Sequence, residues 1–159
     1  MPIKRKWQLP PIAVMVGIVL IILLSNVFRN TAIHIAYSDF LPSWLLMTVK
    51  VLLIIDGILL ILLGVRVLRK ANTPVPTFNE PVNLVTKGVY KYTRNPIYLG
   101  MAELLLVCSL YSDSIITILI PLLFILLAHL YYVPFEEKQL FQRFDIIYKN
   151  YQSQVRRWL

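Results

Sequence analysis

The 159-residue chain is poor in the groups that most often carry chemistry. Its one cysteine, Cys108, allows no intramolecular disulfide and excludes CxxC-type metal sites. There are two histidines, His34 and His129, and no HExxH. No GxGxxG follows a strand-like run, no P-loop is present, and nothing suggests a nucleophilic triad. No metal is expected. Acidic residues number 8 against 16 Lys and Arg, a net charge of +8 at pH 7. That excess is no nucleic-acid signature, because the cations flank apolar runs and form no RNA- or DNA-binding motif. They read more simply as charges that hold a membrane protein in place.

What the chain has in quantity is apolar surface. Hydrophobic residues make up 58% and mean hydropathy is +0.68, above the usual half-apolar composition of a soluble domain. The excess comes in four blocks, residues 12–28, 43–68, 97–111 and 114–133. A spanning helix needs about 20 residues. The second and fourth blocks meet that, and the first is slightly short. The third is short alone but is joined to the fourth by Ser112-Asp113, as in a tight helical hairpin. The expected fold is one all-α membrane domain of four spans. A loop over residues 69–96 and an amphipathic tail helix over 134–159 complete it. The apolar and aromatic positions Leu140, Phe141, Phe144, Ile147, Tyr148, Tyr151 and Val155 give that tail its helical spacing. Lys4, Arg5 and Lys6 precede an apolar run longer than a signal-peptide core of about 7–15 residues. No A-x-A-like site follows, so the run is read as the first span.

Four spans put both termini and the middle loop on one side of the membrane. Of the 16 cations, all but Arg29 and Lys50 then lie on that side, which the positive-inside rule makes cytoplasmic. His34 and His129 fall on opposite sides and share no metal. The expected location is a prokaryotic inner membrane, or the endoplasmic reticulum if the source is eukaryotic.

Polar residues concentrate in GVYKYTRNPIYLG, residues 88–100, and in Glu136-Glu137. Asn95 is a capping residue type and Pro96 suits the first helical turn, so the pair is expected to start the third helix. Such an N-terminus seats a carboxylate or phosphate. Tyr90, Tyr92 and Tyr98 offer faces to a planar or cationic group, and the glutamates add negative charge. A ligand with both a carboxylate and a cationic centre suits this mix. The plainer reading stays beside it: tyrosines and cations routinely flank membrane helices, and an Asn-Pro cap can be purely structural. Within the spans, Asp56 and Glu103 are candidates for function or for an interhelical bond. Gly57 and Gly64 share a helix face suited to close packing. Lys50 is expected to snorkel, Cys108 to pack, and His129 to line an acceptor pocket or to be a satisfied buried histidine.

Two blocks in order carry a family resemblance. Leu84-Val85-Thr86, Gly88, Tyr90, Arg94-Asn95-Pro96, Tyr98 and Gly100 form the first. Glu136-Glu137, Leu140, Phe144, Tyr148 and Tyr151 form the second. Together they resemble the isoprenylcysteine carboxyl methyltransferases and the membrane phospholipid N-methyltransferases. The resemblance implies an S-adenosylmethionine-dependent methyltransferase without a Rossmann fold, acting on a lipophilic or small acceptor. It implies a cofactor site lined by Leu84, Val85, Tyr90, Arg94, Asn95, Pro96, Ile97 and Tyr98, with Glu136 near the amino or sulfonium group. It makes Glu136 and Glu137 the catalytic candidates, and Glu103, His129 and Tyr132 the acceptor-side candidates. Val89 replaces a common Pro. Asp145 replaces a Gly after Phe144, so a continuous helix is expected there. Tyr132 stands where the isoprenylcysteine enzymes carry an arginine toward the substrate carboxylate. A family member that binds the cofactor without turnover, and a scaffold whose motif only caps a helix, are the alternatives.

Overall fold

The computed structural model describes residues 10–29, 31, 35–75 and 81–159. Lys4, Arg5, Lys6, His34 and the middle of the TPVPTFNEP connector lie outside the described residues. Five α-helices follow one another: α1 (Pro10–Phe28), α2 (Ser43–Lys70), α3 (Pro96–Tyr111), α4 (Leu119–Leu127) and α5 (Val133–Gln154). There is no strand among the described residues. Helical chain continues from Ile115 to Gln154 through a 3-10 turn, α4, a π turn at Ala128–Tyr132 and α5. α1, α2 and this long composite helix are each long and apolar enough to cross a membrane, and α3 is a shorter apolar helix. Much of the apolar surface faces outward, Leu52 at 61% and Leu62 at 59% exposure among it. Such a surface belongs in lipid: the protein is an integral, polytopic helical bundle.

α3 is the centre of the bundle. It packs on α2 through two glycines facing each other: a Cβ on Gly100 would stand 2.5 Å from the Gly57 carbonyl oxygen. Further along α2, a Cβ on Gly64 would meet Ile97 at 2.8 Å. The glycine face read from the sequence is therefore a backbone-to-backbone crossing. On its other side α3 meets α1 and α4 in a core of Ile21, Ala102, Leu105, Ile120, Phe124 and Ala128. Asp113, at φ 50°, turns the chain from α3 toward α4. It accepts hydrogen bonds from the Ser38 N–H at 3.0 Å and the Ser38 hydroxyl at 2.7 Å. Behind that turn Ser109 joins Tyr37 at 3.0 Å and Thr117 at 2.7 Å, which closes this end of the bundle.

Two expectations about the tail change. The tail over 134–159 is not a separate helix, because the fourth apolar block continues into it through Pro134. A proline inside a helix removes one i→i−4 bond and crowds the carbonyl four residues back. The wide π turn just before it supplies the room. The break comes instead at Asp145, whose φ of 41° and ψ of −115° are not helical. The backbone keeps there the conformation of the glycine that the resemblance implies, although the side chain is aspartate. The two arms of α5 meet at that point, and the second arm turns back toward the start of α3.

Candidate functional site

The loop between α2 and α3 is pinned before it reaches the site. The Thr73 hydroxyl donates to the Asn83 carbonyl at 3.1 Å and accepts the Asn83 N–H at 2.8 Å. Asn83 Nδ2 donates to the Ala71 carbonyl at 2.7 Å. These bonds set the register in which Leu84 and Val85 meet the bundle. Gly88 then adopts φ +63°, and a Cβ there would stand 2.9 Å from Val67. Only glycine meets both demands.

Two clefts open where this loop, the start of α3 and both arms of α5 converge. The loop-side cleft is walled by Leu84, Val85, Glu137, Leu140, Tyr148 and Tyr151, among others. The helix-side cleft is walled by Pro10, Pro11, Pro96, Ile97, Tyr98 and Met101. Tyr90, Arg94, Asn95 and Glu136 line both and form the partition between them. All eight residues suggested for cofactor contact, and both glutamates, thus come together although residues 101–135 separate the two sequence blocks.

Glu136 and Glu137 have different settings. Glu136 is 8% exposed and accepts the Tyr98 hydroxyl at 2.6 Å. It follows the apolar run 114–133 by three residues, on the helix that continues into the polar tail. Burial pushes its carboxyl up to about 7; the Tyr98 hydrogen bond opposes that rise and the charge of Glu137 adds to it. Glu137 is engaged by two guanidinium groups. Arg157 donates from Nε at 3.2 Å and from Nη2 at 2.6 Å, and Arg94 Nη1 lies 3.1 Å away. Both of its oxygens are thus engaged by guanidinium donors. Arg94 itself is largely buried, and its Nε meets no hydrogen-bond partner among the described residues. Tyr90 and Tyr151 are raised above the usual phenol range chiefly by burial; the Tyr151 hydroxyl donates to the Tyr90 carbonyl at 2.7 Å.

Several sequence expectations need correction. Asn95 occupies the N-cap position of α3, but its side chain makes no capping bond. It donates instead to the Arg157 carbonyl at 2.8 Å. Tyr92 is 75% exposed and lines neither cleft. Glu103 lines neither cleft and lies beside Asp56 of α2. His129 lines neither cleft and is exposed; its Nδ1 accepts the Trp158 indole N–H at 3.1 Å. Tyr132 reaches the site only through its ring, stacked on Tyr98 at 6.0 Å between centroids. In the sequence Arg157 is one of the cations that orient the bundle. Its role as partner of Glu137 and Asn95 depends on contacts across 20 and 62 residues, which no local pattern reveals.

The model of the phospholipid methyltransferase family matches residues 45–146, which takes in α2, the loop, α3, α4 and the first arm of α5. No curated protein and no solved structure gives a significant match. The resemblance read from the two motif blocks and the family match agree, and the chain belongs to the phospholipid methyltransferase family, a family of membrane methyltransferases.

Proposed function

We propose that the protein transfers a methyl group from S-adenosylmethionine to a lipophilic acceptor, on the cytoplasmic side of the membrane. The observation that carries this reading is the set Tyr90, Arg94, Asn95 and Glu136 shared between two adjoining clefts, one bounded by the loop and one by α1 and the start of α3. One cleft opens under the polar loop and suits a soluble donor. The other begins among the prolines of α1 and the apolar start of α3 and suits an acceptor arriving from the bilayer. Direct transfer needs the acceptor atom in line and in contact with the donor's methyl group, and the shared residues mark where the two clefts come close enough for that.

The donor's chemistry fits the residues present. Arg94 carries a buried, unpartnered N–H that a carboxylate would satisfy. Glu136, on the partition, offers a carboxyl to an ammonium or sulfonium centre. Tyr148, Tyr151 and Leu140 offer apolar and aromatic surface to a planar base. When bound, S-adenosylmethionine supplies an electrophilic methyl group. The protein's own contribution is positioning and exclusion of water. Tyr98 holds Glu136 through its hydroxyl and is itself held by the Tyr132 ring. Arg94 and Glu137 fix the loop-side wall. The cytoplasmic assignment rests on the Lys and Arg distribution.

The test is calorimetric titration of the detergent-purified protein with S-adenosylhomocysteine, beside an Asn95→Ala/Tyr98→Ala variant. Saturable binding that the variant loses is expected. It is followed by transfer of a tritiated methyl group into the organic-extractable fraction of native membranes. Absence of binding by folded wild-type protein, with and without lipid, would overturn the proposal.

A further inference from the structure

The C-terminal segment crosses back over the start of α3 and ties together parts of the site that are distant in sequence. The Arg94 N–H donates to the Arg156 carbonyl at 3.1 Å. The Thr93 hydroxyl and Asn95 Nδ2 both donate to the Arg157 carbonyl, at 3.2 and 2.8 Å. The Arg157 guanidinium forks onto Glu137, and Trp158 is anchored by His129. Arg157 lines neither cleft, yet its backbone holds Asn95 and its side chain holds Glu137, and both of those do.

The charge arrangement is specific. Glu137 carries one negative charge and meets two guanidinium groups, Arg94 and Arg157. The cluster keeps one net positive charge, and its unpartnered donor is Arg94 Nε in the partition. Without the Arg157 guanidinium, Glu137 would neutralise Arg94 alone. The wall would then lose the excess positive charge that an incoming carboxylate needs.

We propose that Arg157 is a positioning residue that keeps Arg94 available for the carboxylate of the bound donor by sharing Glu137 with it. This rests on the cofactor reading above and adds to it a role for a residue outside the matched family region. The effect is confined to the carboxylate-bearing end of the ligand. It therefore separates from a general loss of structure.

The experiment compares two ligands on the full chain. S-adenosylhomocysteine carries the amino-acid end, and 5′-methylthioadenosine has the same nucleoside without it. Arg157→Gln is expected to weaken S-adenosylhomocysteine about tenfold and to leave 5′-methylthioadenosine within twofold of wild type. Arg157→Lys retains the charge without the fork and is expected to lie between. Arg157→Gln/Glu137→Gln restores the single positive charge and is expected to recover part of the lost affinity. Equal weakening of both ligands, or no weakening of either, overturns the proposal. Failure of wild-type protein to bind S-adenosylhomocysteine overturns the cofactor reading itself, and the two failures are told apart by that control.

Discussion

The Glu136 carboxyl lies under the Tyr98 hydroxyl, with its value pushed up to about 7 from an ordinary 4.5, chiefly by burial. A carboxyl raised in this way is most compatible with folding when protonated. Its contribution is fully present below about pH 4.5 and is lost as pH rises through about 7. The span of that change is roughly 3 kcal/mol at most. Thermal unfolding in detergent from pH 4 to 8 should show a falling midpoint for wild type. Glu136→Gln should flatten the profile and unfold at higher temperature than wild type at pH 8. A wild-type profile that rises across this range would contradict the assignment. Asp145 provides a second prediction at the same scale. Its φ of 41° is costly for a residue with a Cβ. Asp145→Gly should stabilise the protein by about 1 kcal/mol, relief of strain outweighing the added chain entropy. An unchanged or lower unfolding midpoint would count against strain at that turn. Local sequence showed which residues are polar and which motif they belong to. It could not show that one glutamate of an adjacent pair is buried under a tyrosine while the other is clasped by two arginines.

At the scale of elements, apolar periodicity and length reveal the helices because the bilayer demands long uninterrupted hydrophobic runs. The crossing of α2 and α3 was legible too, since Gly57 and Gly64 recur on one face. What composition hides is where a helix stops. Pro134 marks a boundary by ordinary rules, yet the π turn at Ala128–Tyr132 carries the helix through it. A π turn leaves no local sequence signal, and Asp145 carries its bend without the glycine that would announce it. The α2–α3 crossing supplies a graded test. At Gly100 a new Cβ would meet the Gly57 carbonyl, a backbone atom, at 2.5 Å; at Gly17 it would meet the Leu105 side chain at 3.1 Å. Gly100→Ala should therefore cost roughly 2 kcal/mol or more, because two helix backbones must separate. Gly17→Ala should cost less than about 1 kcal/mol, since a leucine can shift. Unfolding midpoints of the two variants in the same detergent compare them directly, and equal losses would show that the crossing is not tight.

At the scale of the whole molecule the two ends of the bundle are built for different tasks. One end is closed by hydroxyl groups that satisfy one another: Tyr37, Ser109, Thr117 and the Ser38–Asp113 pair. The other gathers a loop, a helix start, two arms of α5 and the C-terminal segment around two clefts. Read as four crossings, three long helices and the shorter α3, the bundle has a single direction to choose, and the distribution of Lys and Arg predicts it. Lys91 and Lys138 stand exposed at the cleft end and Thr31 at the closed end. Single cysteines at these positions, in a Cys108→Ser background, report orientation through a membrane-impermeant maleimide. Cysteines at positions 91 and 138 should react in inside-out vesicles and resist labelling in intact cells, and a cysteine at 31 should do the reverse. The opposite pattern would place the clefts outside the cell, away from the cytoplasmic pool of a soluble methyl donor. It would leave the family membership intact and remove the basis for the reaction assigned to the site. Labelling of positions 31 and 91 from the same side would contradict the second crossing itself, because only α2 separates the two loops.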